Sequence, residues 1–164
     1  MWRSTGRDFK GSCQLSVVSC QLSVVSCQLS ESDWNMSASF RDLQVWKKSI
    51  ELTVLIYRFT KDFPREEVYG LTSQMRRASV SIASNIAEGS ARGTKRDFRQ
   101  FVRLAHGSNC ELQTQLVIAR QLRFGDESTC TAAEALSHEI GRMLTALSNY
   151  LTEKMTSKEL TTDN

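Results

Sequence analysis

The side chains with the clearest chemistry in this sequence are seven cations within residues 76–103. Two acids share that stretch, so its net charge is seven minus two, or +5, against +3 for the whole chain. Arg96, Arg99 and Arg103 are spaced three and four apart, which places them on one face of a helix. A guanidinium group can donate two parallel hydrogen bonds to phosphate oxygens, and a cluster of such groups gains affinity by releasing counterions from the nucleic acid. The predicted nucleic-acid-binding residues are Arg76, Arg77, Arg92, Lys95, Arg96, Arg99 and Arg103.

A solvated helix face would show the same spacing, so the cations alone leave the function open. Residues 90–98, SARGTKRDF, lack the GxxxxGK spacing of a phosphate-binding loop, which argues against nucleotide hydrolysis. His106 and Cys110 have a metal-compatible spacing, but two ligands do not make a site, and His138 and Cys130 add no paired motif. No serine lies in a GxSxG motif. We therefore expect no catalytic residues, no metal, no cofactor and no enzymatic activity.

Composition places the chain among ordinary single-domain proteins, with 164 residues, 40% of them hydrophobic and 24% charged. No apolar run approaches the roughly 20 residues of a membrane helix, so we expect no membrane partner. An odd number of cysteines, five, without a CxxC pair, and an opening segment unlike a secretory signal are typical of a cytoplasmic protein.

The N-terminal segment contains a repeat, SCQLSVV, over residues 12–30. Leucine at every seventh position fits a coiled coil, although the charges that usually flank such a seam are missing. An aggregation-prone β-rich arm is a second interpretation. The third, favoured by the identity of the repeats, is translated DNA upstream of a true start at Met36. We expect residues 1–36 to be a disordered leader or to precede the true start.

The first helical pattern begins at Phe40, after a capping-box pattern at Ser39 and Asp42, and ends before Pro64. It carries two apolar stripes, although a bundle core needs only one. The second stripe suggests burial against another subunit. The stripes are Leu43, Trp46, Ile50, Val54 and Tyr57, and Val45, Leu52, Ile56, Phe59 and Phe63.

A second helix is predicted to run to about Glu88, with Thr72 or Ser73 as its cap and Gly89 as a left-handed C-terminal residue. Its core face is Leu71, Met75, Ala78, Ile82 and Ile86. Its polar face is either solvated or a seam with partners on a neighbouring helix, where Arg77 could pair with Glu111. That face is Gln74, Arg77, Ser81, Ser84 and Glu88, with Asn85 beside it.

The third predicted helix extends from Lys95 to about Phe124, with a capping box at Thr94 and Asp97 and a stop at Gly125. Its core stripe is Phe98, Val102, Ala105, Leu112, Ala119 and Leu122. The fourth helix is predicted to be capped by Thr131 and Glu134, with a seam of Ala133, Leu136, Ile140, Met143, Leu147 and Tyr150. Four helices with short connections predict an all-α fold, an up-and-down four-helix bundle over residues 37–155, followed by a frayed polar tail at 156–164.

Three segments carry a resemblance to a known family: FRDLQVWKKSIEL, FPREEVYGLTSQMRRASVSIASNIAEGSAR and FVRLAHGSNCELQTQLVIARQL. Together they resemble the four-helix bundle proteins encoded by intervening sequences in bacterial 23S rRNA genes, over residues 40 to about 151. The positions that match the family motif include Arg76, Arg77, Ser81, Asn85, Glu88 and Gly89.

The resemblance implies a homopentamer, a ring around a central channel, which would account for the second stripe on the first helix. It also implies kinship with the accessory variability determinant of diversity-generating retroelements, which binds nucleic acid and partners a reverse transcriptase. The sequence thus predicts a non-enzymatic accessory protein that binds RNA or DNA through its basic surface. The alternative is a protein-interaction scaffold that docks a partner such as a reverse transcriptase without touching nucleic acid.

Overall fold

A computed structural model describes residues 39–159, with side chains described as far as residue 154. Within this range the chain forms four α-helices and no strand: α1 (Gln44–Phe59), α2 (Leu71–Ala91), α3 (Lys95–Gln121) and α4 (Glu127–Glu159). Short 3-10 turns lie at Phe40–Asp42, Thr60–Asp62 and Arg65–Val68. The leader and its repeat lie outside the described residues, as does the tail after residue 159. The tail was predicted to fray from residue 156, whereas α4 continues to Glu159.

The four helices form an up-and-down bundle, as predicted. Each packs against the helices beside it in the order α1, α2, α3, α4 and back to α1. Large apolar side chains from all four helices meet in one core and are removed from solvent, which supplies most of the folding free energy. The side chains fully excluded from solvent include Leu52, Ile56, Met75, Ile82, Ile86, Leu112, Leu116, Ile140, Leu144 and Leu151.

Helix α1 builds the core mainly from one of its two apolar stripes, while Leu43 and Trp46 of the other stripe are partly buried against it. Val45, Leu52, Ile56 and Phe59 are buried, together with Phe63 in the following turn. The other stripe faces outward at Ile50, Val54 and Tyr57, whose exposed fractions are 39, 45 and 47%. Both stripes are apolar at helical spacing, and α2 and α4 pack against the one that became core.

The start of α1 differs from the prediction. Ser39 does accept a hydrogen bond, from the backbone N–H of Arg41 at 3.3 Å, but it caps the 3-10 turn and not the α-helix. Helix α1 begins after Leu43, which is extended at φ −65° and ψ 121° and provides no side-chain cap. At the other end, Phe63 is extended as expected of the residue before Pro64.

The cap of α2 also differs from the prediction. Neither Thr72 nor Ser73 precedes the helix, because both lie in its first turn. The cap position is Gly70, and the carboxylate of Glu67 accepts a hydrogen bond from the backbone N–H of Leu71 at 2.9 Å. A 3-10 turn folds Glu67 back over the helix end, so a carboxylate also sits favourably at the positive end of the helix dipole.

Helix α2 does not end at Gly89, which was predicted to be its left-handed terminal residue. Gly89 is helical and buried, and the helix continues to Ala91. A Cβ atom at this position would lie 2.5 Å from the Cβ of Phe101 on α3, so glycine is required by the close approach of the two helices. The left-handed residue is Gly93, at φ +78°, in the turn between α2 and α3.

Helix α3 begins as predicted. The Thr94 hydroxyl oxygen accepts from the backbone N–H of Asp97 at 3.0 Å and donates to its carboxylate at 2.7 Å. The helix ends earlier than predicted, at Gln121, because Arg123 takes the left-handed conformation at φ 58°. Leu122 is consequently 52% exposed and does not belong to the core stripe, which was a wrong prediction.

Helix α4 starts at Glu127, four residues before the predicted cap at Thr131. Asp126 caps it instead, since its Oδ2 accepts from the Ser128 hydroxyl at 2.5 Å and from the backbone N–H of Thr129 at 2.8 Å. The Ser128 hydrogen bond, followed by those of Thr129, lowers the pKa of Asp126 below its ordinary value. Local hydrogen bonds thus fix the start of α4 at a position that the spacing of apolar residues did not predict.

A polar pair lies inside the core between α3 and α4. The side-chain amide of Asn109 donates to the backbone carbonyl of Ser137 at 3.0 Å, and the Ser137 hydroxyl donates to the amide oxygen at 3.0 Å. Both residues are fully buried. A Cβ at Gly141 would lie 3.2 Å from the Asn109 amide nitrogen, so this glycine leaves room for the pair. A satisfied buried pair of this kind fixes the register of two helices.

No helix in the described part of the chain is long and apolar enough to cross a membrane.

Candidate nucleic-acid interface

Five of the seven predicted basic residues lie at the end of the bundle where α2 turns into α3. Arg92 is the C-terminal cap of α2, and Lys95 and Arg96 open α3. The left-handed Gly93 and the capping box at Thr94 reverse the chain between them. Arg99 and Arg103 follow on α3, and Arg96 to Arg103 span about 10 Å at 1.5 Å per residue. We name these five residues the turn cluster: Arg92, Lys95, Arg96, Arg99 and Arg103.

Arg92 is held in place by its neighbours. Its guanidinium pairs with the carboxylate of Glu88 one turn earlier on α2. It also lies over the ring of Phe101 on α3, 5.1 Å from the ring centroid. The same phenylalanine packs against Gly89, so the close contact between α2 and α3 builds the platform for the arginine. Both sides of the pair remain about half exposed, at 54 and 52%, so the pair is screened by solvent and contributes little to stability.

The other four members of the turn cluster form no ion pair with any described residue. Lys95, Arg96 and Arg103 are exposed and Arg99 is half-buried. Asp97, the acid nearest to them in sequence, is occupied by the hydrogen bond from Thr94. The positive end of the α3 dipole lies in the same turn and adds to the field. The arrangement therefore presents a net positive charge to solvent.

Arg76 and Arg77 are not part of this cluster. Fifteen residues of α2 separate Arg77 from Arg92, or about 22 Å along the helix axis. Arg76 is anchored to the end of α1, where its Nε donates to the Thr60 hydroxyl at 2.9 Å and its guanidinium lies over the Tyr57 ring at 4.8 Å. Helix length thus places Arg77 well away from the turn between α2 and α3.

Comparison with known proteins decides the family. The sequence matches the family of 23S rRNA-intervening sequence proteins over residues 41–146, more than half of the chain. The chain belongs to this family. The match begins in the 3-10 turn before α1 and ends within α4, so it includes parts of all four helices. No curated protein matches the sequence.

A solved structure shows the same fold. It is a protein with unknown function from the S23 ribosomal protein family of Bacteroides thetaiotaomicron. The match has a TM-score of 0.57 and 22% sequence identity, and it covers 63% of this chain and 97% of that chain. At this identity the likeness supports the fold alone.

Several residues that match the family motif have structural roles in this member. Gly89 permits the α2–α3 contact, and Glu88 pairs with Arg92. The Ser81 hydroxyl lies 3.0 Å from the Ser108 hydroxyl across the helix interface, and Asn85 donates to Ser81. The polar face of α2 is therefore partly a seam with a partner on α3, the second of the two interpretations that the sequence allowed.

The predicted pair between Arg77 and Glu111 is not formed. Arg77 donates instead to the side-chain oxygen of Gln74 one turn earlier, and Glu111 accepts from Gln115 at 3.0 Å. Each residue finds a partner on its own helix, where i,i+3 and i,i+4 neighbours are already close.

Sequence reasoning missed a second polar cluster, at the opposite end of α3. Arg120 pairs with Glu134 at 2.7 Å and with Glu127 at 2.9 Å, tying α3 to the first turns of α4. The hydrogen bond that Arg120 donates to the Glu134 carboxylate raises the pKa of Arg120. The predicted cap Glu134 is thus a cross-helix partner. Arg120 and Glu134 are fourteen positions apart on two different helices, so no local sequence pattern predicts that they pair.

The histidine and cysteine side chains do not form a metal site among the described residues, and the buried cysteine is not a reactive thiol. His106 Nδ1 and Cys110 Sγ lie 3.6 Å apart on α3. Among the described residues no three His, Cys, Asp or Glu side chains form a group that could hold a metal ion. Cys130 is buried between α3 and α4, and burial raises the pKa of its thiol, which disfavours the reactive thiolate.

Proposed function

We propose that this protein is a non-enzymatic nucleic-acid-binding accessory protein that contacts phosphates through the turn cluster. The observation that supports the proposal is the concentration of five cations at the α2–α3 end, of which only Arg92 has an acid partner, Glu88, among the described residues. Arginine and lysine gain affinity from counterion release, and contacts to phosphates carry no sequence information. We therefore expect weak dependence on sequence and strong dependence on salt.

Self-association would strengthen such binding. The outward stripe of α1, at Ile50, Val54 and Tyr57, presents apolar area that a second copy could cover. In a ring such as the predicted homopentamer, five turn clusters would act on one polyanion, and linked weak contacts add to a high avidity. The outward stripe also favours the second candidate, a scaffold whose partner is a protein such as a reverse transcriptase.

The test is a titration of the full chain into fluorescent single-stranded RNA and DNA, followed by anisotropy at several salt concentrations. Two variants with the same change in charge are compared. The test variant is Arg96→Gln, Arg99→Gln and Arg103→Gln; the control is Arg58→Gln, Arg65→Gln and Arg142→Gln, all exposed positions on other parts of the bundle.

The slope of log K against log salt reports phosphate contacts at about 0.7 each for single strands, so removing three contacts should lower it by about 2. The control should keep the slope of the unmodified protein within about one contact. If both variants lose the same slope, binding depends on total charge and not on the turn cluster. If the unmodified protein shows no binding at low salt, the scaffold candidate replaces the nucleic-acid proposal.

A further inference from the structure

The second group of arginines lies in a groove of its own, which we call the Arg77 groove. It has a volume of about 570 Å³ and lies between α1, the 3-10 turn at Arg65–Val68 and α2. Its walls include Tyr57, Val68, Thr72, Arg76, Arg77 and Val80. A volume in this range accommodates one or two side chains of a partner. The groove therefore combines two cations with apolar walls, unlike the turn cluster.

The Arg76 guanidinium is held in place along one edge and can bind an anion at its other end. Its Nε and Nη2 point at Thr60, at 2.9 Å from the hydroxyl and 3.5 Å from the carbonyl oxygen. These two nitrogens form one edge of the guanidinium, so the end that carries Nη1 is left for another acceptor. Because the side chain is already fixed by Thr60 and by stacking on Tyr57, a ligand would lose little entropy in ordering it.

Arg77 has no carboxylate partner among the described residues. Its guanidinium is exposed and bonded only to the neutral amide of Gln74. A carboxylate would replace that contact with a charge-assisted pair of hydrogen bonds, which is stronger than the bond to an amide. The groove thus holds two guanidinium groups, and no carboxylate among the described residues pairs with either of them.

Thr72 provides an independent observation. It is 5% exposed, it lines the groove, and its hydroxyl has no hydrogen-bond partner. An unpartnered buried hydroxyl costs free energy unless a ligand satisfies it. Threonine in a helix occupies two χ1 rotamers, so the hydroxyl can turn toward a bound group.

The walls distinguish the class of ligand. Tyr57, Val68 and Val80 line the groove with exposed fractions of 47, 49 and 41%, and Tyr69, which follows Val68, is 94% exposed. A phosphate backbone would leave this apolar surface uncovered. A peptide that carries carboxylates between apolar side chains would cover it and neutralise the arginines together.

We propose that the Arg77 groove is a docking site for an acidic, apolar peptide segment of a partner protein. This site is separate from the turn cluster and does not depend on the nucleic-acid proposal. Arg76 and Arg77 bind the carboxylate, Tyr57 and the two valines cover the adjacent apolar side chains, and Thr72 contributes its hydroxyl.

The test uses a dye-labelled peptide that alternates leucine with glutamate, and a matched peptide with glutamine in place of each glutamate. Anisotropy measures binding of both to the full chain and to the variants Arg77→Gln, Thr72→Val and Arg103→Gln. Arg103 lies in the turn cluster and carries the same charge, so it serves as the control. Circular dichroism verifies that each variant folds.

We expect the glutamate peptide to bind at least about 10-fold more tightly than the glutamine peptide, as expected for loss of a charge-assisted pair. Arg77→Gln should reduce this preference and Thr72→Val should reduce the affinity, while Arg103→Gln should change neither. Equal loss with Arg77→Gln and Arg103→Gln would overturn the proposal, since binding would then be a general charge effect. It would also be overturned if Arg77→Gln weakened RNA binding as strongly as Arg103→Gln, or if it dissociated an assembly in sedimentation, which would make the occupant a second copy.

Discussion

The buried pair of Asn109 and Ser137 provides the sharpest test of how the bundle is held in register. Asn109→Ala removes both hydrogen bonds of the pair, one to the Ser137 backbone carbonyl and one from the Ser137 hydroxyl, and leaves a small cavity between α3 and α4. Ser137→Ala removes one of the bonds and leaves the Asn109 oxygen buried without a partner. The two residues act as a unit, so their substitutions should not be additive.

The expected sizes follow from the contacts. Two hydrogen bonds at about 0.5–1.5 kcal/mol each and a cavity of about 1 kcal/mol give a loss of about 2–4 kcal/mol for Asn109→Ala. Ser137→Ala should cost about 1–2 kcal/mol, mostly from the orphaned amide oxygen. The double variant removes both partners, so its loss of stability should be about 1 kcal/mol smaller than the summed losses of the two single variants.

The assay is urea unfolding at one fixed protein concentration, followed by far-UV circular dichroism, for the parent, both single variants and the double variant. Asn149→Ala, an exposed asparagine on α4, is the control and should change stability by less than about 0.5 kcal/mol. Additivity within about 0.5 kcal/mol would refute the argument, because it would mean that the two side chains do not interact in solution.

Three further predictions concern single positions. Gly89→Ala should reduce the free energy of unfolding by about 1–3 kcal/mol, because the new methyl group clashes with Phe101, and the melting temperature should fall accordingly. Helix propensity alone predicts the opposite, a stabilisation of about 1 kcal/mol, so a rise in melting temperature would contradict the close contact. Asp126→Ala should destabilise the protein at neutral pH, because a lowered folded-state pKa means that the ionised carboxylate stabilises the fold; the difference from the parent should vanish as pH falls below 3.8 through that pKa, as measured by thermal melts across pH. In the native protein iodoacetamide should label Cys110 but not Cys130, because Cys110 is exposed whereas burial excludes the reagent from Cys130 and raises the pKa of its thiol; peptide mass spectrometry showing equal labelling would refute this.

Periodicity predicted most of the fold. The core faces of α2 and α3 agree with the structure except at Leu122, because a 3.6-residue period places side chains on one side of a helix whatever it packs against. The same rule could not choose between the two stripes of α1, since both satisfy it. Burial of the stripe that contains Leu52 and Ile56 depends on the positions of α2 and α4.

The sequence predicted the start of α3 correctly but misplaced the starts of α2 and α4, although the caps of all three helices join residues three or four positions apart. The capping box of Thr94 and Asp97 needs no tertiary contact and was found. Glu67 and Asp126 cap helices whose first residues were misplaced by a few positions, so their roles were missed. Gly89 was predicted to end α2 in the left-handed conformation, whereas it allows the close contact with Phe101 on α3. A glycine can have either role, and its sequence neighbours do not distinguish the two.

The sequence by itself determined that the chain forms four helices, that its central stretch is strongly basic, and that it resembles one family, since composition, spacing and motif are local properties. Only the tertiary structure separated Arg77 from the turn cluster, placed Arg92 on Phe101, and buried Asn109 against Ser137. These outcomes depend on the lengths of the helices and on the depth to which they approach one another. The depth of approach is set by contacts between residues far apart in the chain, which no window of sequence contains.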